Sequence, residues 1–204
     1  MPKITEISYQ SKNKKRCNLF LDGEFLCGLS IETVYKYNLK VGQEIVKETL
    51  CDLIKENERI EALSKAADYV SKSLKTKRQV KDYLLKKGYS KDLAWEVVDK
   101  LKENDYVNDK EYSKRYIESV SKTQGKRLVE YKLMSKGVRK EDIEHAFAET
   151  ETDSKNNAKA VAEKYLRNKE KSKENIAKTY RYLIGRGFSY DDASYALSSF
   201  GEED

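Results

Sequence analysis

The apolar positions of this chain follow two regimes. Over roughly the first forty-five residues they alternate at period two, and beyond that they recur at helical spacing. Ile4-Thr5-Glu6-Ile7-Ser8-Tyr9 alternates, as does Asn18-Leu19-Phe20-Leu21, which Asp22-Gly23 separates from Glu24-Phe25-Leu26-Cys27. Asp-Gly between two apolar strands is a hairpin signal, because the tight turn needs positive φ at both central residues. Ser30 is placed to cap a short helix through Val34 and Tyr35, and Gly42 marks a further turn. From Ile45 the residues Leu50, Leu53, Ile54, Ile60, Leu63, Ala67 and Val70 keep helical spacing with no Gly or Pro among them. The pattern predicts one helix of about thirty residues, roughly 45 Å long, or two helices with a break near Asn57.

From about residue 60 the same pattern is used three times. Lys87-Gly88, Lys136-Gly137 and Arg186-Gly187 lie 49 and 50 residues apart. Four residues before each glycine stands a leucine: Leu84, Leu133, Leu183. Three before stand Leu85, Met134 and Ile184. Six after come Ala94, Ile143 and Ala193, nine after Val97, Ala146 and Ala196, and ten after Val98, Phe147 and Leu197. The later offsets mark one helix face, and the earlier ones fall in the last turn of the helix before. A glycine between them ends that helix. A further apolar stripe precedes each pair: Ala66, Tyr69, Val70 and Leu74, then Tyr112, Tyr116, Ile117 and Val120, then Ala158, Val161, Ala162, Tyr165 and Leu166.

Each unit therefore reads as a three-helix bundle. A bundle this small is marginal alone and leans on its neighbours. The expected fold is mainly α: an elongated tandem array of three three-helix repeats behind a small N-terminal three-stranded element. The expected boundaries are 1–45 for the β element, 46–107 for the connecting helix and repeat 1, 108–153 for repeat 2 and 154–204 for repeat 3.

Composition narrows the class. Charged residues are 37% and hydrophobic ones 38%, and Pro2 is the one proline, which suits a helical chain. No apolar run is long enough for a membrane span, and MPKITEISYQ lacks the apolar core of a signal peptide. Cys17, Cys27 and Cys51 are odd in number and have no C-x-x-C spacing. They predict free thiols in a reducing cytoplasm rather than disulfides or a zinc site.

The net charge of +6 hides local sorting. Residues 72–91 hold eight Lys/Arg and one acid, and 92–109 hold six acids and two Lys. Residues 122–140 hold seven basics and one acid, and 141–153 six acids with no Lys or Arg. Residues 164–186 hold eight basics and two acids, and 187–204 five acids and no basics. Each second helix is basic and each third helix acidic. Helix dipoles explain part of this: Asp92, Glu141-Asp142 and Asp191-Asp192 begin third helices, with Ser90 and Ser189 as N-caps, and Lys87, Lys136 and Arg186 end second helices. The remainder reads either as a stripe for an anionic partner or as a solvated, salt-bridged surface. The stripe candidates are Arg78, Lys81, Lys86, Lys87, Arg115, Lys126, Arg127, Lys132, Lys136, Arg139, Lys178, Arg181 and Arg186.

Catalytic signatures are missing: no P-loop, G-x-G-x-x-G, H-E-x-x-H or G-x-S-x-G occurs. His145, the lone histidine, reads as a helix-face residue. Trp95, one position off its stripe, reads as packing between repeats, with stacking on a base as the alternative. The fifteen tyrosines read mostly as stripe residues, such as Tyr69, Tyr112 and Tyr116. These patterns argue against an enzyme.

The segment from Asp105 through Tyr106-Val107-Asn108-Asp109 to Tyr112, Tyr116 and Ile117 resembles the central motif of the RecX regulatory family, roughly Gly-Tyr-Leu-Asp-Asp-x-x-Phe-Ala-x-x-Tyr/Phe-Ile/Val. Gly125, Leu133 and Lys136-Gly137-Val138 resemble that family's second-repeat pattern. Asp105 stands where the family usually has Gly, Asn108 where it has the first Asp, Tyr112 for Phe and Ser113 for Ala. Asn108 or Asp109 is expected to cap the next helix.

The resemblance implies a regulator of homologous recombination and DNA repair. Such a protein lies along the helical groove of the RecA recombinase filament and mostly inhibits its ATPase, strand-exchange and coprotease activities. It also implies a cytoplasmic chain, expected to be a monomer, with no cofactor and no membrane. Direct DNA binding through the basic second helices is the alternative, since small three-helix units can act like helix-turn-helix domains.

Overall fold

The computed structural model describes residues 1–198 and residue 200. Three strands, β1 (Ile4–Tyr9), β2 (Arg16–Leu21) and β3 (Glu24–Ser30), are followed by α1 (Ile31–Lys36) and the long α2 (Lys47–Ser71). Eight more helices follow: α3 (Lys77–Lys86), α4 (Lys91–Glu103), α5 (Asp109–Val120), α6 (Lys126–Ser135), α7 (Lys140–Glu149), α8 (Ser154–Leu166), α9 (Lys173–Gly185) and α10 (Tyr190–Ser198). The fold is mainly α, with three three-helix repeats and one small sheet. The chain groups into two compact units, one of Met1–Ser73 with Val80–Tyr106, the other of Leu74–Gln79 with the chain from Val107 onward.

In the first unit the sheet is antiparallel in the order β1-β2-β3. Asp22 and Gly23 both have positive φ, 49° and 87°, as the two-residue hairpin requires. The strands bury Ile4, Leu19, Leu21 and Leu29 against Leu39, Ile45 and Leu53. Ser30 caps α1, its Oγ accepting from Thr33 N at 3.0 Å.

The long helix is continuous through Asn57. The reason is the tertiary use of that side chain. Asn57 Oδ1 accepts from Ser30 N at 2.7 Å, and its Nδ2 donates to Gly28 O at 3.3 Å and to Glu61 Oε1 at 3.0 Å. A polar residue that looked like a break point in fact fastens α2 to the end of β3. Beyond it, Ala62 and Ala66 of α2 are buried together with Val80, Leu84, Ala94, Val97, Val98 and Leu101, and α2 packs on α4. One helix thus serves two cores. Leu74 lies past the end of α2 and is 49% exposed, so it leaves the stripe assigned to it.

In the second unit, α5, α6 and α7 enclose Ile117, Val129, Leu133, Val138, Ile143 and Ala146. The last three helices enclose Ala158, Ala162, Leu166, Leu183, Phe188, Ala193, Ala196 and Leu197. Small residues dominate α8 and α10, which lets those helices approach closely.

The three glycine turns are the same structure. In each, the glycine N–H donates to the carbonyl three residues back, and the following N–H reaches the buried leucine carbonyl: Tyr89 to Leu84, Val138 to Leu133, Phe188 to Leu183, each at 3.2 Å. This doubly bonded C-terminal cap needs the left-handed conformation, and the glycine φ values are 89°, 86° and 88°. The leucine four residues before each glycine is fully buried. Of the five acids expected after Gly187, Glu202, Glu203 and Asp204 lie outside the described residues.

Candidate functional site

Two joints of common design lie within the second unit. At the first, the opening turn of α3 meets the closing turn of α6. Thr76 Oγ1 donates to the Lys136 carbonyl at 2.7 Å. The same oxygen accepts from Gln79 N at 3.2 Å, while Gln79 Oε1 accepts from Thr76 N at 3.0 Å. That reciprocal pair is a capping box. Lys77 N donates to Asp109 Oδ1 at 2.9 Å. The aliphatic stem of Arg78 lies over Gly137, where a Cβ would strike it.

At the second joint, α6 meets α9 in the same way. Gly125 N donates to the Arg186 carbonyl at 3.0 Å and Arg127 N to the Gly187 carbonyl at 3.2 Å. A Cβ on Gly125 would overlap the main chain of Gly187 and Phe188, and one on Gly187 would overlap Leu128. Thr76 and Gly125 each precede the glycine of their own repeat by twelve residues. The joint therefore repeats with the sequence: the N–H end of one second helix docks on the C=O end of the next.

Carboxylates mark both joints, buried at the first and half-buried at the second. Asp109 and Asp142 are 5% and 3% exposed. Burial pushes the Asp109 carboxyl up, against the Lys77 N–H that favours its ionised form, and the charge of Asp142 adds to the rise. Asp192, in the position equivalent to Asp142, is also raised by burial. Hydrogen bonds from Ser154 Oγ and from Ser189 outweigh that and hold it below the usual range. Asn108, not Asp109, caps α5, accepting from Lys110 N and Glu111 N.

The stripe candidates sort by surroundings. Carboxylates hold Arg115 (Glu111, 2.7 Å), Arg139 (Asp142, 3.0 Å), Lys178 (Glu174, 2.7 Å), Lys126 (Glu130, 3.8 Å) and Lys81 (Asp82, 3.4 Å). Lys132 Nζ donates to Gln124 Oε1 at 2.8 Å. The three residues before the glycines each lie over a tyrosine: Lys87 over Tyr83, Lys136 over Tyr116 and Arg186 over Tyr182, at 5.6, 5.9 and 5.2 Å from the ring centroids. Tyr83 and Tyr182 in turn stack on Tyr69 and Tyr165. Arg127 lies over Tyr190 at 5.1 Å. Among the described residues, Lys86, Lys87, Arg127 and Arg181 are exposed and have no carboxylate within 4 Å. Only part of the charge is available to a partner, and Arg115 lies on a first helix, away from the second-helix pattern.

Other aromatic expectations are revised. Trp95 is 39% exposed, with the Lys81 ammonium of its own repeat 5.4 Å from its ring centroid. Tyr9, Tyr35, Tyr106, Tyr131, Tyr190 and Tyr195 are exposed rather than stripe residues. His145 sits on the exposed face of α7. Among the described residues no cluster of three His, Cys, Asp or Glu could hold a metal, and no helix is long and apolar enough to cross a membrane.

Family models match the chain in three places: the regulatory protein RecX N-terminal domain over residues 2–46, the first RecX three-helix domain over 62–101, and the third over 151–197. The regulatory protein RecX of Clostridium botulinum (strain Alaska E43) is 34% identical over 94% of this chain and 92% of its own. That of Clostridium tetani is 34% identical over 96% and 93%. The chain belongs to the RecX family of regulatory proteins. A crystal structure of a regulatory protein RecX superposes over the whole of both chains with a TM-score of 0.74 at 21% identity, and RecX from Lactobacillus salivarius over 71% of this chain and 97% of its own, with 0.64 at 24%. These share the fold.

The RecX-like motif around Asp105–Ile117 now has a physical meaning. Asp105 has φ 57°, and its own N–H and that of Tyr106 close the end of α4 on Lys102 O and Leu101 O. The glycine usual at that place meets the left-handed requirement without strain. Asp109 is the floor of the first joint, Ser113 Oγ donates to its carbonyl at 2.7 Å, and Ile117 is fully buried. The part that Thr76 and Gly125 play in the joints escaped sequence reasoning, although Gly125 belongs to the family pattern. Their signal is the shared offset of twelve residues before the glycine.

Proposed function

We propose that this RecX-family chain binds the RecA recombinase filament along its helical groove and lowers its ATPase, strand-exchange and coprotease activities. The observation that carries the reading is the repeated joint. It brings the first turn of one basic second helix to the last turn of the next and recurs with the repeat, which suits a partner that is itself periodic. A single globular ligand has no use for such recurrence. Lys86, Lys87, Arg127 and Arg181 are the foremost contact candidates. Most of the other stripe residues already have a carboxylate or a tyrosine ring beside them within the chain.

The test is ATP hydrolysis by the cognate RecA filament on single-stranded DNA, titrated with this protein. The expected result is inhibition at well below one molecule per recombinase monomer. No effect on hydrolysis, strand exchange or coprotease activity at stoichiometric protein would refute the proposal.

Direct DNA binding is the second reading, favoured by those same exposed basic side chains. It predicts recombinase-free binding whose log affinity falls steeply with log salt. A flat salt dependence counts against it.

A further inference from the structure

The two joints differ at one place. In the first, Asp109 opens α5 behind the N-cap Asn108, and its carboxylate accepts the Lys77 N–H at 2.9 Å. In the second, Ser154 opens α8 behind the N-cap Asp153. Four residues further on, Ser113 and Ala158 are both fully buried, so the two first helices are in register. Ser154 is the counterpart of Asp109. Its hydroxyl turns to Asp192, donating to Oδ2 at 2.7 Å. Lys126 is the counterpart of Lys77, since each stands eleven residues before its glycine. Among the described residues the Lys126 N–H has no acceptor.

Where the first joint has a carboxylate, the second has space. A cleft of about 480 Å³ lies between α6 and the first turn of α8, with Ser189 and Asp192 also on its wall. That is far more than one carboxylate fills, and it falls among small-molecule sites of about 300–1,000 Å³. Lys126 and Arg127 stand on its wall, and among the described residues Arg127 has no carboxylate within 4 Å. Val129 and Phe147 give it an apolar side. The Asn157 amide and the Ser121 hydroxyl line it too, half-buried and with no hydrogen-bond partner among the described residues. An amide presents a donor and an acceptor side by side.

The carboxylates of the cleft are already engaged. Glu130 lies 3.8 Å from the Lys126 ammonium, and Asp192 accepts from Ser154 Oγ and Ser189 N. The first joint seats two carboxylates, Asp109 and Asp142, whereas the second seats Asp192 beside a serine. An anion in the cleft restores the missing charge and gives the Lys126 N–H the acceptor that Lys77 has. The remaining volume, with an apolar side and uncommitted polar groups, suits a flat body with a hydrogen-bonding edge.

We propose that this cleft binds a nucleotide, with its phosphate in the place of the Asp109 carboxylate, beside Lys126 and Arg127, and its base on the Val129 and Phe147 side, its edge read by Asn157 and Ser121. A free nucleoside phosphate and an unpaired nucleotide of a DNA strand share this chemistry. The inference goes beyond the filament reading, and it rests on the direct DNA reading only if a strand is the source.

The test is isothermal titration calorimetry of the full chain with deoxyadenosine monophosphate. Deoxyadenosine, inorganic phosphate and N-acetyl-aspartate amide serve as partial ligands. The nucleotide is expected to bind, and each partial ligand to bind more weakly by about tenfold or more. Ser154→Asp supplies the carboxylate of the first joint from within the chain, and should weaken the nucleotide by about tenfold or more. Asn157→Ala removes a side chain with no partner in the described chain, and should weaken the nucleotide but not phosphate. Amide shifts on titration should centre on Lys126 and Asn157. No saturable nucleotide binding, phosphate or the aspartate amide binding as tightly as the nucleotide, or binding unchanged by both variants would each overturn the proposal. A single-stranded oligodeoxyadenylate that displaces the bound nucleotide identifies a strand as the source, and one that does not identifies the free nucleotide; both results uphold the site. Strand binding that is equal in wild type and Ser154→Asp, with no binding of the mononucleotide, sinks the cleft and leaves the direct DNA reading standing.

Discussion

Thr76 Oγ1 donates to the main-chain carbonyl of Lys136 at 2.7 Å while accepting from Gln79 N. One hydroxyl starts a helix and fastens it to the end of another, sixty residues on. Thr76→Val keeps the shape and removes both bonds. It is expected to destabilise the second unit by about 1–2 kcal/mol, read as a shift in the urea midpoint with an unchanged slope. Thr76→Ser should recover most of the loss. Equal effects of Val and Ser would mean that only packing matters here.

Gly125→Ala tests the other joint. The methyl would have to enter the main chain of Gly187 and Phe188, which cannot rotate away as a side chain can. A loss of about 1–3 kcal/mol is expected, with amide hydrogen exchange quickening first at Arg127. A neutral result would show that the second joint opens freely.

Asp105→Gly should stabilise the protein. Asp105 has φ 57°, a region where a side chain is strained and glycine is not. A gain of about 0.5–1 kcal/mol is expected, visible as a higher thermal midpoint. A lower midpoint would show that the Asp side chain contributes more than the backbone costs.

Asp109 gives a pH dependence whose sign follows from its burial. Its folded-state pKa is raised, so the folded chain binds this proton more tightly than the unfolded chain. Its contribution to stability is full below the unfolded value of about 3.9 and is lost as pH rises through the higher folded value. Asp109→Asn retains an oxygen for the Lys77 N–H and carries no charge. The variant should be the more stable at pH 7, with the difference closing as pH falls toward 4. A gap that widens on acidification would reverse the assignment.

The basic residues should not contribute alike to filament inhibition. Replacing Lys86, Lys87 and Arg181 together by Gln is expected to raise the concentration needed for half-inhibition by about tenfold or more. Replacing Arg115, Arg139 and Lys178, all held by carboxylates, should change it far less. The reverse ranking in the ATPase assay would place the contact surface on the ion-paired face.

Much of the architecture was legible because each repeat writes the same local chemistry. Leu84, Leu133 and Leu183 before a left-handed glycine cannot be read as anything but helix ends, and Asp22-Gly23 announces its hairpin. The joints were not legible in the same way. Thr76 looks like any N-cap, Gly125 like any loop glycine, and nothing local says that their partners are the carbonyls of Lys136 and Arg186. Asn57 shows the same limit in another form: a polar residue inside a helix is ambiguous until Gly28 and Ser30 are found beside it. Charge sorting was visible, but which basic residues are already engaged depends on rotamers and neighbours that a segment count does not contain.

The joint reads Lys136 and Arg186 only through their carbonyl oxygens; their side chains rest on tyrosines elsewhere. Assembly and surface chemistry are therefore written in separate alphabets at the same position. Any residue that can end a helix keeps the array together, so the outward charge at these places is free to drift, reverse or be tuned to a changing partner without loosening the scaffold that presents it.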